Sequence, residues 1–243
     1  MNEQSNAPMT PGSAGVSGWI TTWMNAVTKP NEQTFATMAE HPDAMNPNRA
    51  LTWVLLAGTA SAIINGVLQA ILELAGLSAQ TAGLADLFGG SANRGVAFSV
   101  GVAICASPIA GAVGALFFAI TVGIIQWVAK MFKGTGTFSQ LAYTMAAISV
   151  PFTLVSSFLT PFSSIAFVGI CTGLISLGLL VYVIVLELMA IKAVNKFGWG
   201  QAAGSLFLPG LVLACCIAVV VAALAGMGVA IGDTFNSINQ SLP

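Results

Sequence analysis

The sequence predicts an all-α polytopic membrane protein, a five-transmembrane-helix bundle preceded by amphipathic, interfacial helices. Three observations predict it. Of 243 residues, 56% are hydrophobic and only 6% are charged, whereas soluble domains carry roughly 25% charged side chains. So few charges cannot coat a water-soluble globule of this size. Those charges also divide the chain into uncharged runs, each able to supply the ~20 apolar residues of a spanning helix. Laid across a bilayer, the runs put nearly all Lys and Arg on one side. Backbone groups in lipid must pair within their own segment, so the spans are helices. Seven Lys plus Arg against eight Asp plus Glu leaves no basic footprint, and no nucleic-acid partner is expected.

In chain order, residues 1–16 are polar and read as a disordered leader. No apolar run follows a basic start, so no cleavable signal peptide is expected. Residues 17–48 form a tail in which Trp19, Ile20, Trp23, Met24 and Val27 recur at helical spacing. Such a stripe suits a helix lying in the membrane interface, or one packed on the ends of the bundle. A second short helix between Pro30 and Pro42 turns Phe35, Met38 and Ala39 to one face.

The membrane domain, 49–232, opens with a span at about 50–72, bounded by Arg49 and Glu73. The 35 uncharged residues between Arg94 and Lys130 exceed one upright span and fall short of two. The span is assigned to 108–128, with 95–107 as an interfacial or kinked lead-in. The 53 uncharged residues between Lys133 and Glu187 hold two helices, 138–159 and 164–190. Pro161 parts them, lacking an amide donor and restricting its predecessor. The 36 residues between Lys196 and Asp233 hold a last span, 209–231, with Pro209 in a favourable first-turn position. Residues 233–243 are a short outside tail. With five spans, Lys29, Arg49, Lys130, Lys133, Lys192 and Lys196 share one side and only Arg94 faces the other, six against one. Splitting the 35-residue run would make the division five against two. The bias puts the N-terminus in the cytoplasm and the C-terminus outside.

Catalysis in a membrane needs nucleophiles, acids or metal ligands held inside the bundle. The single histidine, His41, lies in the tail, which leaves no Ser–His pair or histidine-rich metal site in the spans. Asp43, Asp86 and Asp233 stand outside the spans or at their margins. Lys133-Gly-Thr-Gly136 is too short to cradle nucleotide phosphates. Cys105, Cys171, Cys215 and Cys216 lie in apolar stretches and read as small buried hydrophobes. A non-enzyme without cofactor or metal is expected.

Two groups of residues remain for binding or transport. Ser61, Asn65, Gln69 and Glu73 recur every four residues, as interhelical glue or as a polar pocket or partner face. Glu187 is an ionisable residue in a span, a functional candidate unless it sits at the interface opposite Lys130 or Lys133. Lys130, Lys133, Lys192 and Lys196, beside Trp19 and Trp23, form a candidate cytoplasmic interface. Anionic lipid attracts such juxtamembrane charges by ~1 kcal/mol each. Gly169-x-x-x-Gly173 and Gly228-x-x-x-Gly232 suit close helix packing, within the bundle or between protomers. Deleting residues 1–28 is expected to leave the bundle folded but to abolish partner or lipid recruitment.

Several segments together resemble the Ypt-interacting-protein (YIP) domain family in its prokaryotic form. Val27-Thr-Lys-Pro30-Asn-Glu-Gln-Thr-Phe35 resembles the motif ahead of that family's first span. Met131-Phe-Lys133-Gly134-Thr-Gly136-Thr-Phe138-Ser-Gln140-Leu resembles its short glycine-containing loop. Tyr143 and Pro151 stand where its third helix often carries an aromatic and a proline. Glu187 to Lys192, Phe197-Gly198 and Ala202 look like its fourth-helix exit. The resemblance runs from about Ala26 to Gly226 and implies a five-helix bundle with a cytoplasmic N-terminus, in a prokaryotic cytoplasmic membrane. Eukaryotic relatives are associated with Rab-type GTPases, but their "D-L-x-G-P" signature is replaced here by Asn46-Pro-Asn-Arg-Ala50, which speaks against GTPase binding. The expected function is a non-catalytic membrane scaffold or adaptor that binds membrane lipids and a protein partner or further copies of itself. The alternative is a small oligomeric transporter or channel.

Overall fold

The computed structural model describes residues 16–77, 96–212 and 214–215. Among them the chain is helical, without strands. Two short helices, α1 (Val16–Thr28) and α2 (Glu32–Ala39), lead through a 3-10 turn at Pro42–Met45 into four long ones. These are α3 (Pro47–Leu74), α4 (Val96–Met131), α5 (Phe138–Leu159) and α6 (Ala166–Asn195). A further helix, α7, occupies 199–212. Four described segments are long and apolar enough to cross a membrane: Pro47–Leu74, Val100–Met131, Phe138–Ser163 and Phe167–Asn195. The protein is an integral membrane protein. Most of the predicted fifth span, 209–231, lies outside the described residues, as do residues 1–15 of the leader and the 233–243 tail.

Local chemistry explains where the helices begin and end. Asn31 and Asn46 cap α2 and α3, accepting from the backbone N–H groups of Thr34 and Asn48. Thr137 and Gln140 form a reciprocal capping box at the start of α5. The α4 helix begins at Val96 and continues unbroken through Pro108, so 96–107 belongs to the same helix as the span. Pro108 has no N–H to give the carbonyl four residues back, that of Ile104. The buried Ser107 hydroxyl donates to that carbonyl instead (2.8 Å), keeping the helix intact in lipid. At the other end of α5, Thr160–Ser164 form a 3-10 turn around Pro161.

Packing places α5 at the centre, against α3, α4 and α6. Buried Ala142, Ala146, Ala147, Ile148 and Val150 line its contacts. The tightest approach is between α3 and α4, where Gly58 faces Gly111 and Gly66 faces Ala103. A side chain at Gly111 would stand 2.2 Å from the Thr59 hydroxyl and 2.7 Å from the Leu55 carbonyl. The Gly169-x-x-x-Gly173 pair does not join two spans: Gly169 makes room for the Ser163 carbonyl of the preceding turn, and Gly173 faces open space. Gly228 and Gly232 are outside the described residues. Cys105, Cys171 and Cys215 are free thiols on exposed helix surfaces rather than buried, because the surface of a spanning helix is itself apolar.

Candidate functional site

The bundle has a basic end, carrying Arg49, Lys130, Lys133, Lys192 and Lys196, and a turn end, carrying Thr160–Ser164. A groove between α3 and α6, floored by α5, runs from one to the other. At the basic end α1 and α2 fill it. Trp53 of α3 is 1% exposed and forms the hub. Trp23 meets it edge to face at 5.7 Å, Trp19 lies at 6.1 Å, and Tyr143 of α5 at 4.9 Å. The indole N–H groups of Trp19, Trp23 and Trp53 have no hydrogen-bond partner among the described residues, so ring packing holds the cluster. The Arg49 guanidinium lies over the Trp19 ring at 5.7 Å and donates to Asp43 (3.2 Å), while His41 stacks on Tyr143. Phe35 and Met38 of α2 are buried beside them. The Tyr182 hydroxyl of α6 donates to the Val27 carbonyl at the end of α1 (2.7 Å).

This geometry assigns the predicted cytoplasmic residues differently from one another. Trp19 and Trp23 turn inward to Trp53, while Val16, Ile20 and Met24 form the outer ridge of α1. Lys192 pairs with Glu32 of α2 and sits 4.5 Å over the Trp199 ring, which ties α2 and α7 to the end of α6. Lys130, Lys133 and Lys196 remain exposed.

Behind those lysines lies a clamp that ties three segments together. Lys133 and Lys196 end α4 and α6 in the left-handed conformation (φ 65° and 54°) that more often selects glycine. Buried Gln126 donates to the Gly136 carbonyl (2.7 Å) and to the Asn195 side-chain oxygen (3.0 Å). Asn195 in turn donates to the Ile191 carbonyl, and its own backbone carbonyl accepts from the Thr135 N–H (3.2 Å). A side chain at Gly134 would stand 2.6 Å from the Asn195 oxygen, so the loop presses directly on the clamp.

Toward the turn end the groove opens into a cleft of about 340 Å³ lined by Ser61, Asn65, Ser149, Thr153, Ser156 and Ser157, with Thr160, Phe152 and Val183. The predicted polar stripe therefore splits. Ser61 and Asn65 line the cleft, whereas Gln69 and Glu73 are exposed nearer the end of α3. Glu187 lies elsewhere, half-buried on the face of α6 that carries the buried Ala190 and Val194. It has no hydrogen bond or ion pair among the described residues, and Lys130 and Lys133 do not serve as its counter-charge. No group of three metal-ligating side chains comes together among the described residues.

The Yip1 domain family matches residues 24–223. The chain belongs to this family. No curated protein and no solved structure gives a match. The Yip1 domain contains the clamp, the cleft, Tyr182 and the whole of α2, whereas Trp19 and Trp23 stand just ahead of it. Within the domain, Gln126 and Asn195 escape a reading based on charges, because both are neutral amides. Their signal is position: each sits within one turn of a span-ending lysine. The hydroxyl face of α5 is also readable in hindsight, since Ser149, Thr153, Ser156 and Thr160 recur at helical spacing.

Proposed function

We propose that this Yip1-domain protein is a non-catalytic membrane scaffold or adaptor whose basic end receives a membrane-protein partner or anionic lipid. One observation carries the reading. The amino-terminal arm, the 131–138 loop and the end of α6 are interlocked into one platform that still presents Lys130, Lys133 and Lys196. A platform held by ring contacts and buried amides keeps its shape when a partner arrives, which lowers the ordering cost of binding. In this reading the platform faces the cytoplasm, in a five-span topology completed at 209–231, and the membrane is a prokaryotic cytoplasmic membrane. Cysteines at Thr135 and Gly198 then react with impermeant reagents from the cytoplasmic side, and those at Ser91 and Ser241 from outside. Purification in mild detergent, followed by mass spectrometry of co-eluting chains, tests the scaffold role. A reproducible partner lost in K133E/K196E supports it; a chain that always runs alone refutes it.

Glu187 favours a second reading, a small oligomeric transporter or channel. A carboxyl on the packed face of a spanning helix without a partner is costly, and such residues mark ion pathways. Flux in liposomes that vanishes in Glu187→Gln would promote this reading.

A further inference from the structure

The cleft near the turn end differs from the other polar contacts of the bundle in what it leaves available. Three of its hydroxyl protons are already used: Ser149 donates to the Met145 carbonyl (2.8 Å), Ser157 to Leu154 (2.6 Å) and Thr160 to Ser156 (2.8 Å), while the hydroxyls of Ser61, Thr153 and Ser156 make no hydrogen bond among the described residues. The Asn65 amide donates to the Ser61 carbonyl (3.0 Å). Each bond returns to the residue's own helix, so the cleft keeps acceptor lone pairs on its hydroxyls and on the Asn65 side-chain oxygen, and free O–H donors on Ser61, Thr153 and Ser156. Oxygens that accept, beside hydroxyls that both donate and accept, suit a ligand whose own groups do both. Among the described residues no charged side chain lines the cleft, so a full charge would be desolvated there without compensation, and the ligand is neutral.

Size and position narrow the class further. The volume of about 340 Å³ is about ten times the ~30 Å³ share of one liquid water, far more than a single ion needs and enough for a sugar-sized group. Phe152 and Val183 supply apolar walls for the carbon faces of such a group. At a rise of about 1.5 Å per residue, Ser149 stands about 16 Å and Thr160 about 33 Å along α5 from its Phe138 start. The cleft therefore extends from mid-membrane to the headgroup level at the turn end. Thr153 and Ser156 are exposed along it, and Val155 and Phe158 offer apolar surface beside them.

We infer that this cleft is a binding site for a neutral polyol group, a glycerol- or sugar-type moiety carried on a lipid or free in solution, whose hydroxyls donate to Asn65 and the α5 hydroxyl row and accept from Thr153 and Ser156. The inference is independent of the scaffold reading, since it concerns the other end of the groove.

The test uses the full chain in phosphatidylcholine nanodiscs containing a minor share of glucosyl diacylglycerol or, separately, of phosphatidylserine, whose headgroup is charged and carries no polyol. Native mass spectrometry reads the lipid retained after release. Glucosyl diacylglycerol should be retained at least tenfold over phosphatidylcholine, and the triple variant N65L/T153V/S156A should lose about tenfold or more, the equivalent of one to three hydrogen bonds. K133Q/K196Q at the basic end should retain it unchanged. Ser156→Phe, which fills the cleft by bulk alone, provides the same readout if the triple variant fails to fold. Displacement of the retained lipid by free glucose or glycerol assigns the site to the soluble polyol; resistance to both assigns it to the lipid. Equal retention of phosphatidylserine, or full retention by a folded triple variant and by Ser156→Phe, overturns the proposal.

Discussion

The two halves of the α3–α5–α6 groove use polar residues in opposite ways. At the basic end, polar side chains reach from one segment to another: Gln126 to Asn195 and Gly136, Tyr182 to Val27, and Lys192 to Glu32. In the half toward the turn end, Ser149, Ser157, Thr160 and Asn65 bond only to carbonyls of their own helices. The first pattern consumes donors and acceptors in holding elements together. The second satisfies these four donors locally and leaves acceptors, with the Thr153 and Ser156 hydroxyls, facing a cleft. A polar residue in a membrane bundle is therefore informative only once its partner's address is known: a neighbouring segment indicates assembly, its own helix leaves capacity for something else.

The largest effect should come from breaking the filled half. Trp53→Ala removes the hub that Trp19, Trp23 and Tyr143 share, and should cost about 3 kcal/mol or more of stability in detergent. Deleting residues 1–28 should lower the melting temperature as well, because it bares Trp53 and Tyr143. A deletion that melts like the full chain would show that the arm only rests on the groove.

The clamp should come next. Asn195→Ala leaves buried Gln126 with the Gly136 carbonyl but no side-chain partner, for a loss of about 1–3 kcal/mol. In a double-mutant cycle with Gln126→Leu, the second substitution should cost less than it does alone. Strict additivity would mean that the two amides do not act as a pair.

Glu32→Gln removes the carboxylate that Lys192 meets at the surface. Exposed ion pairs contribute little, so stability should fall by less than about 1 kcal/mol. The difference from the parent chain should shrink as salt is added. A large, salt-insensitive loss would move this contact into the buried class with the clamp.

The smallest effect is expected in the open half. Ser149→Ala and Thr153→Val, measured by the same melts, should each change stability by no more than about 0.5 kcal/mol, since each alters a bond within one helix or none between helices. Losses comparable to that of Asn195→Ala would show that these hydroxyls hold helices together after all, and would erase the contrast between the halves.

Membrane character was legible from the sequence alone, because partition into lipid depends on composition summed over a segment and on charge, both additive along the chain. Punctuation by Asn46-Pro47, Thr137 and Pro161 was equally local, and so were the helix starts and the turn they produce. Pro108 was misleading for the same reason: its effect on α4 depends on whether some hydroxyl can serve the Ile104 carbonyl, and Ser107 does. Which way Trp19 and Trp23 point, why Lys192 differs from Lys133, and where the Ser61 stripe stops being buried depend on neighbours far away in sequence. Trp53, Glu32 and the α5 hydroxyl row supply those answers. A stripe on one helix states only that its residues share a face; the helix packed opposite determines whether that face is glue, surface or the wall of a cleft. That choice belongs to tertiary structure, because contact energies fall off within a few ångströms and exist only between groups that the fold has brought together.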